Sequence, residues 1–173
     1  EKNLSLSLAM SGALPRIRTD PTHLRQILFN LIGNAIKYTD EGSIVVKTRI
    51  VEKEAALVQG LPGITAAANA DGKSWLLIQV VDSGVGIAPA DRERVFEEFE
   101  QVDSGPRTDS PHRGTGLGLA ISRRLARLLG GELLLENGTS SGSTFTLWLP
   151  CTGAELGASQ NSAPLGENTG LLE

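Results

Sequence analysis

Cysteine is almost missing from this sequence. The single one, Cys151, excludes an internal disulfide and fits a reducing compartment. Aromatic residues make up only 4% of the chain, so any core must be largely aliphatic. No apolar run reaches the length needed to cross a membrane, and there is no signal peptide. No basic block is interleaved with aromatics and the net charge is −4, which argues against nucleic acid as the main partner. The chain opens Glu1-Lys2-Asn3 without a Met. The expectation is a cytoplasmic piece of a longer protein, whose parent is free to carry a membrane anchor elsewhere.

What remains is ordinary for a folded domain: 173 residues, 40% hydrophobic and 21% charged. The richest stretch is Asn30-Leu31-Ile32-Gly33-Asn34-Ala35-Ile36-Lys37-Tyr38-Thr39. It lies late in a helix that Asp20 would cap and Pro21 would begin. At about 100° per residue, Asn30, Asn34 and Lys37 share one side. Leu24, Ile27, Leu28, Leu31 and Ala35 form an adjacent apolar stripe, with Tyr38 at its border. Amides beside a core stripe need partners, and a bound polar ligand supplies them. Asn oxygens can hold a hard cation such as Mg2+, and Lys can meet a phosphate. The other reading is an amphipathic helix with solvated polar groups, and the stretch alone leaves both open.

Along the chain, the Leu–Ser alternation of Asn3 to Ala9 reads as a half-buried strand. A second short strand is expected over Pro15 to Thr19. Thr39 to Gly42 reads as a glycine turn closing the helix, and Ser43 to Val51 as a strand. Glu52 to Lys73 lacks any period and reads as a long connection between antiparallel strands. Trp75 to Val81 is a continuous apolar run, expected to be a central strand buried on both faces. It ends in Asp82-Ser83-Gly84-Val85-Gly86-Ile87, which either sets an acid at the floor of a pocket or is a plain turn. A short helix is expected over Pro89 to Val95. Phe96 and Phe99 would then anchor the base of a flexible lid from Glu100 to Arg113. Gly114-Thr115-Gly116-Leu117-Gly118-Leu119 leads into a helix from Ala120 to Leu129, with Ile121, Leu125 and Leu128 on one face. A glycine-rich turn at a helix N-terminus suits an anion. After Gly130-Gly131, Glu132 to Glu136 and Ser143 to Leu149 read as a closing hairpin. The organisation expected is one domain over 1–150 and a flexible linker or tail over 151–173, rich in Gly, Ser, Asn and Glu.

The glycines fit neither a P-loop nor a dinucleotide fingerprint, since no Gly-x-x-x-x-Gly-Lys occurs and a polar loop precedes them. Their company is more specific. Asn-x-x-x-Asn-Ala-x-Lys-Tyr-Thr at 30–39, Asp-x-Gly-x-Gly at 82–86, Phe-x-x-Phe at 96–99 and Gly-Thr-Gly-Leu-Gly-Leu at 114–119 occur in that order. Together they closely resemble the N, G1, F and G2 boxes of the catalytic ATP-binding domain of sensor histidine kinases, over roughly residues 1–150. That resemblance implies a two-layer α/β sandwich, the Bergerat fold: a mixed, mostly antiparallel sheet with helices on one face and an ATP lid. It implies ATP and Mg2+, with Asn34 holding the metal, Asn30 beside it on the phosphate side, and Lys37 neutralising phosphate. Tyr38 would flank the base or ribose, and Asp82 would accept a hydrogen bond from the adenine amino group. Gly84 and Gly86 would let the chain pass the base, with Ile87 and Phe99 also against the nucleotide. Gly114, Thr115, Gly116, Leu117, Gly118 and Leu119 would cradle the phosphates, with Arg113 reaching in from the lid.

The resemblance also separates branches of the fold. Hydrolysing relatives carry a glutamate at position 30, and Asn30 cannot take a proton. Phosphoryl transfer to a histidine on a separate dimerisation domain is therefore implied, with a response-regulator receiver as the later partner and a homodimeric parent. Neither His23-Leu24 nor His112-Arg113 matches the His-acidic pattern of an acceptor. Two departures stand out. Arg113 occupies the place of the first glycine of Gly-Gly-Thr-Gly, and Pro106 and Pro111 stiffen the lid. A degenerate binding module and a stand-alone ATPase are the competing functions.

Overall fold

The computed structural model describes residues 2–12, 14, 17–52, 74–100, 116–136 and 142–151. Among the described residues five strands form one sheet in the order β1-β2-β3-β5-β4: β1 (Asn3–Met10), β2 (Glu41–Glu52), β3 (Ser74–Asp82), β4 (Glu132–Leu135) and β5 (Ser143–Pro150). The β1–β2 pair is parallel and the other three pairs are antiparallel. Two helices, α1 (Pro21–Tyr38) and α2 (Gly118–Leu128), pack on one face. The expected sandwich, with its mixed and mostly antiparallel sheet, is what the chain builds.

The core follows strand parity. Leu76, Ile78 and Val80 of β3 join Phe145, Leu147 and Leu149 of β5 beneath Ile27, Leu31 and Ala35 of α1. Odd positions of β3 point the other way, and Trp75 and Leu77 form a smaller cluster with Val51 and Trp148. That second cluster is why β3 reads as an unbroken apolar run.

Helix α1 starts where expected. The Asp20 carboxylate accepts from the backbone N–H groups of Thr22 (2.7 Å) and His23 (3.2 Å). Those bonds hold its pKa below the usual aspartate value, so the cap is in place above that value and is lost as pH falls. At the far end, the Lys2 ammonium donates to the carbonyls of Ile36 (2.8 Å), Lys37 (2.8 Å) and Thr39 (3.0 Å). A cation there suits the negative end of the helix dipole.

Several expectations are corrected. Strand β1 is not half-buried: Leu6, Leu8 and Met10 are each about 60% exposed, because β1 is the sheet edge, away from the buried centre of α1. Ile17 to Thr19 lie in no strand. Ile17 packs on the core from an irregular segment, and 15 and 16 lie outside the described residues. The helix does not close on a glycine turn. Thr39 caps it, and Gly42 (φ 115°) lies inside β2, where a Cβ would sit 2.3 Å from Ser83 Oγ. Pro89 to Val95 forms two 3-10 turns, Pro89–Asp91 and Arg94–Phe96, and no α-helix. Helix α2 buries Ser122 and Ala126 and leaves Ile121 and Leu128 exposed, because small residues allow close approach to α1. Cys151, grouped by composition with the tail, is buried in the core, and burial pushes its thiol pKa up. The connection at 53–73, the lid at 101–113 and the tail from 152 lie outside the described residues.

Helix α2 ends on Gly130 (φ 77°), whose N–H bonds Arg127, while that of Gly131 bonds Ala126. The chain then turns into Glu132, a buried carboxylate that receives Arg123 Nε (3.1 Å), Arg127 Nε (2.9 Å) and the Leu133 N–H (3.1 Å). Glu132→Ala is expected to cost about 1–2 kcal/mol, discounted because Arg127 is hydrated. That is a drop of roughly 2–8 °C in thermal midpoint, readable by calorimetry. An unchanged midpoint would mean the cluster contributes nothing.

Candidate functional site

The cleft opens between α1, the end of β3 and the start of α2, and holds about 1000 Å³ of non-atom space, its open mouth included. Asn30, Asn34, Lys37 and Tyr38 line it from α1, Asp82, Gly86 and Ile87 from the end of β3, and Gly116, Gly118 and Leu119 from the start of α2. Residues from three distant segments of sequence therefore share one cavity.

Asp82 sits on its floor, 8% exposed. It ends a central strand, paired with Ile44 on one side and Ser143 on the other. Its Oδ1 accepts from the Gly84 N–H (2.9 Å) and the Ser143 N–H (3.2 Å). Burial pushes its pKa up, against the pull of those two amides. A carboxylate held this way is fixed in direction and poorly solvated, ready for a ligand donor.

Glycines keep the floor thin. A Cβ on Gly84 would stand 2.4 Å from the Tyr38 carbonyl oxygen and 2.9 Å from Asp82 Oδ1. So Gly84 does not line the cleft; it lets the turn press against the end of α1. Gly86 (φ 74°) adopts a backbone that other residues avoid.

The α1 wall carries the polar groups. Lys37 Nζ lies 4.8 Å from the centre of the Tyr38 ring, and both line the cleft. Asn30 donates through Nδ2 to Ser122 Oγ at 2.9 Å. Among the described residues no cluster of three or more His, Cys, Asp or Glu could hold a metal. The oxygen donors at this end are amides, which suit a hard cation that keeps most of its water.

Phe96 and Phe99 behave differently. The Phe96 ring meets Phe145 edge-on at 6.2 Å and lies under the Arg123 guanidinium at 4.6 Å. Phe99 is 72% exposed with φ 66° and does not line the cleft, because its backbone rather than its ring does the anchoring. Its N–H bonds the Gly116 carbonyl (3.2 Å), and Gly116 (φ 70°) has no room for a Cβ against it. The base of the expected lid is therefore tied by backbone. Leu117 caps α2 and does not line the cleft. Arg113, Gly114 and Thr115 lie outside the described residues.

The structure adds lining that the motifs do not name: Ala35, Val85, Val95, Glu100, Ser143 and Phe145. Val85, Val95 and Phe145 supply apolar walls. Glu100 is a carboxylate in a cleft expected to take anions, and Arg94 Nη2 pairs with it at 2.7 Å. The position of Ser143 was readable only through strand pairing, since it meets Asp82 from 61 residues away.

Comparison with known proteins agrees with this architecture. Residues 19–153 match the family described as histidine kinase-, DNA gyrase B-, and HSP90-like ATPase. The circadian input-output histidine kinase CikA of Synechococcus elongatus is 34% identical over 150 residues, covering 87% of this chain and 17% of that protein. The aerobic respiration control sensor protein ArcB of Escherichia coli is 36% identical over 148 residues, covering 85% of this chain and 16% of ArcB. The chain thus spans under a fifth of these relatives. Among solved structures, full-length ShkA in complex with AMPPNP superposes with a TM-score of 0.62 at 32% identity, over 85% of this chain and 25% of ShkA. With the sandwich, the acid-floored cleft and these likenesses together, the chain belongs to the histidine kinase-, DNA gyrase B- and HSP90-like ATPase family, as a catalytic ATP-binding domain of the sensor histidine kinase kind.

Proposed function

We propose that this domain binds Mg2+-ATP and donates the γ-phosphoryl group to a histidine on a separate dimerisation domain of the same parent protein. The observation that carries this is the placement of Asp82 on the floor of a cleft whose opposite wall bears Asn30, Asn34 and Lys37. Asp82 would accept from the adenine amino group, where guanine offers a carbonyl that a carboxylate repels. The two backbone bonds it accepts fall on Oδ1, and Oδ2 would accept from the base. Val85, Ile87 and Phe145 would sandwich the purine, and Lys37 would face the phosphates.

Asn34 would hold Mg2+ through its amide oxygen, and the cation would supply charge neutralisation on the phosphates when bound. No carboxylate stands at position 30 to activate water, so the chain is set up for transfer rather than hydrolysis. In that step the bond from phosphorus to the ADP oxygen breaks and one to the acceptor imidazole nitrogen forms. The chain's own part is to position and to stabilise charge. AMPPNP bound to ShkA supports the nucleotide assignment. A homodimeric parent, a receiver domain as the later phosphate acceptor and a cytoplasmic setting complete the proposal.

A second reading, a degenerate binding module, draws on Glu100 lining the cleft and Arg113 in place of a glycine. Calorimetric titration separates the two. Mg2+-ATP should bind and Mg2+-GTP should not, whereas no heat at millimolar ATP favours the module. Incubation with γ-labelled ATP should leave this chain unlabelled, since neither His23 nor His112 is an acceptor. Label appearing on it would refute the transfer scheme.

A further inference from the structure

The bond between Asn30 and Ser122 joins two elements 92 residues apart in sequence. Ser122 lies on α2, 1% exposed, and is one of only two α2 residues that are fully buried. Its hydroxyl receives the Asn30 amide N–H at 2.9 Å. The other end of the same amide is enclosed too. A Cβ on Gly118, the first residue of α2, would stand 2.3 Å from Asn30 Oδ1. The amide is thus wedged between a hydroxyl and a bare Cα. An unrestrained Asn on a cleft wall can turn its amide end for end and present either N–H or C=O. Here the amide sets its nitrogen on Ser122 Oγ and its oxygen toward the start of α2, with little room to leave that pocket.

We propose that Ser122 is a positioning residue for the phosphate end of the cleft: it fixes the Asn30 amide, and Gly118 supplies the space the amide needs. This rests on the nucleotide-binding reading above. Ser122 touches no ligand itself and acts only through Asn30. The pair also ties α1 to the helix that follows the lid, so the two walls of the phosphate end keep their spacing. The small side chains at 118 and 122 are then required by the site as well as by helix packing.

The test compares Mg2+-AMPPNP with AMP, which lacks the outer phosphates, in wild type and in Ser122→Ala, Ser122→Thr and Gly118→Ala. Ser122→Ala should weaken Mg2+-AMPPNP by about 5-fold, the scale of one neutral hydrogen bond, and leave AMP within twofold. Ser122→Thr keeps the oxygen and should recover most of the loss. Gly118→Ala should repeat the loss by a different route, although alanine is the better helix former. The Asn30 side-chain amide signals in nitrogen-15 spectra should move in Ser122→Ala and stay in Ser122→Thr. Equal loss for both nucleotides, or Ser122→Ala binding Mg2+-AMPPNP like wild type, overturns the inference and leaves the functional reading standing. If Ser122→Ala fails to fold, the Asn30 amide signals decide it: they should move in Gly118→Ala and stay in Ser122→Thr, and signals unmoved in Gly118→Ala overturn the inference. If wild type binds neither nucleotide, both proposals fall together.

Discussion

Asp82→Asn is expected to weaken adenine nucleotide binding on the order of 100-fold while leaving the fold intact. The substitution is isosteric, and the new Oδ1 can still accept from Gly84 and Ser143. The remaining position becomes an N–H, which would face the adenine amino group donor to donor. Loss of a charged hydrogen bond, worth about 1.5–3 kcal/mol, sets the scale. The same change should improve binding of inosine or guanosine nucleotides, whose carbonyl can take that N–H. Stability should move the other way. Burial raises the Asp82 pKa in the folded state, so its contribution is fully present below the unfolded value and is lost as pH rises through the folded one. At neutral pH the wild type carries a poorly solvated charge that asparagine lacks. Asp82→Asn should therefore melt higher at pH 7, with the gap closing in acid. Titration calorimetry and a pH series of thermal melts check both arms. Unchanged ATP affinity would remove the acid from the base pocket.

Asn34→Ala should abolish the magnesium-dependent part of ATP affinity. Asn34 is half-buried on the cleft wall, and alanine there favours the helix, so the fold should hold. Disturbing even the groups that support a metal ligand costs 10–100-fold, so losing a ligand should cost at least roughly 10-fold in Mg2+-ATP affinity. In chelator the variant and wild type should bind ATP alike. That control separates metal from general binding. If Mg2+-ATP binds the variant as it binds wild type, the cation is held by something else.

Much of this site is legible in the sequence. Asp20 and Pro21 fixed the start of α1, and the 3.6-residue period then put Asn30, Asn34 and Lys37 on one wall. The apolar run over Trp75 to Val81 marked a central strand, and so placed Asp82 at its end. Period alone failed on α2. Ile121, Leu125 and Leu128 form a regular stripe, yet close approach of two helices selects Ser122 and Ala126 for the buried face. The Leu–Ser alternation of β1 gave the strand but not its cover, because burial depends on what lies above an edge. The Phe-x-x-Phe spacing marks an anchor at the base of the lid, and at Phe99 the backbone N–H carries the bond. Glu100 and Ser143 belong to no motif, and only the fold brings them to the cleft and Ser122 behind it against Asn30.

The three carbonyls gathered by Lys2 have a mechanical consequence. A strand ordinarily speaks to a helix through many soft side-chain contacts, which yield a little everywhere. Here the leading end of β1 grips the last turn of α1 by one ammonium, within a few residues of Lys37 and Asn34. A change at that end of the chain is therefore handed to the turn that carries Lys37.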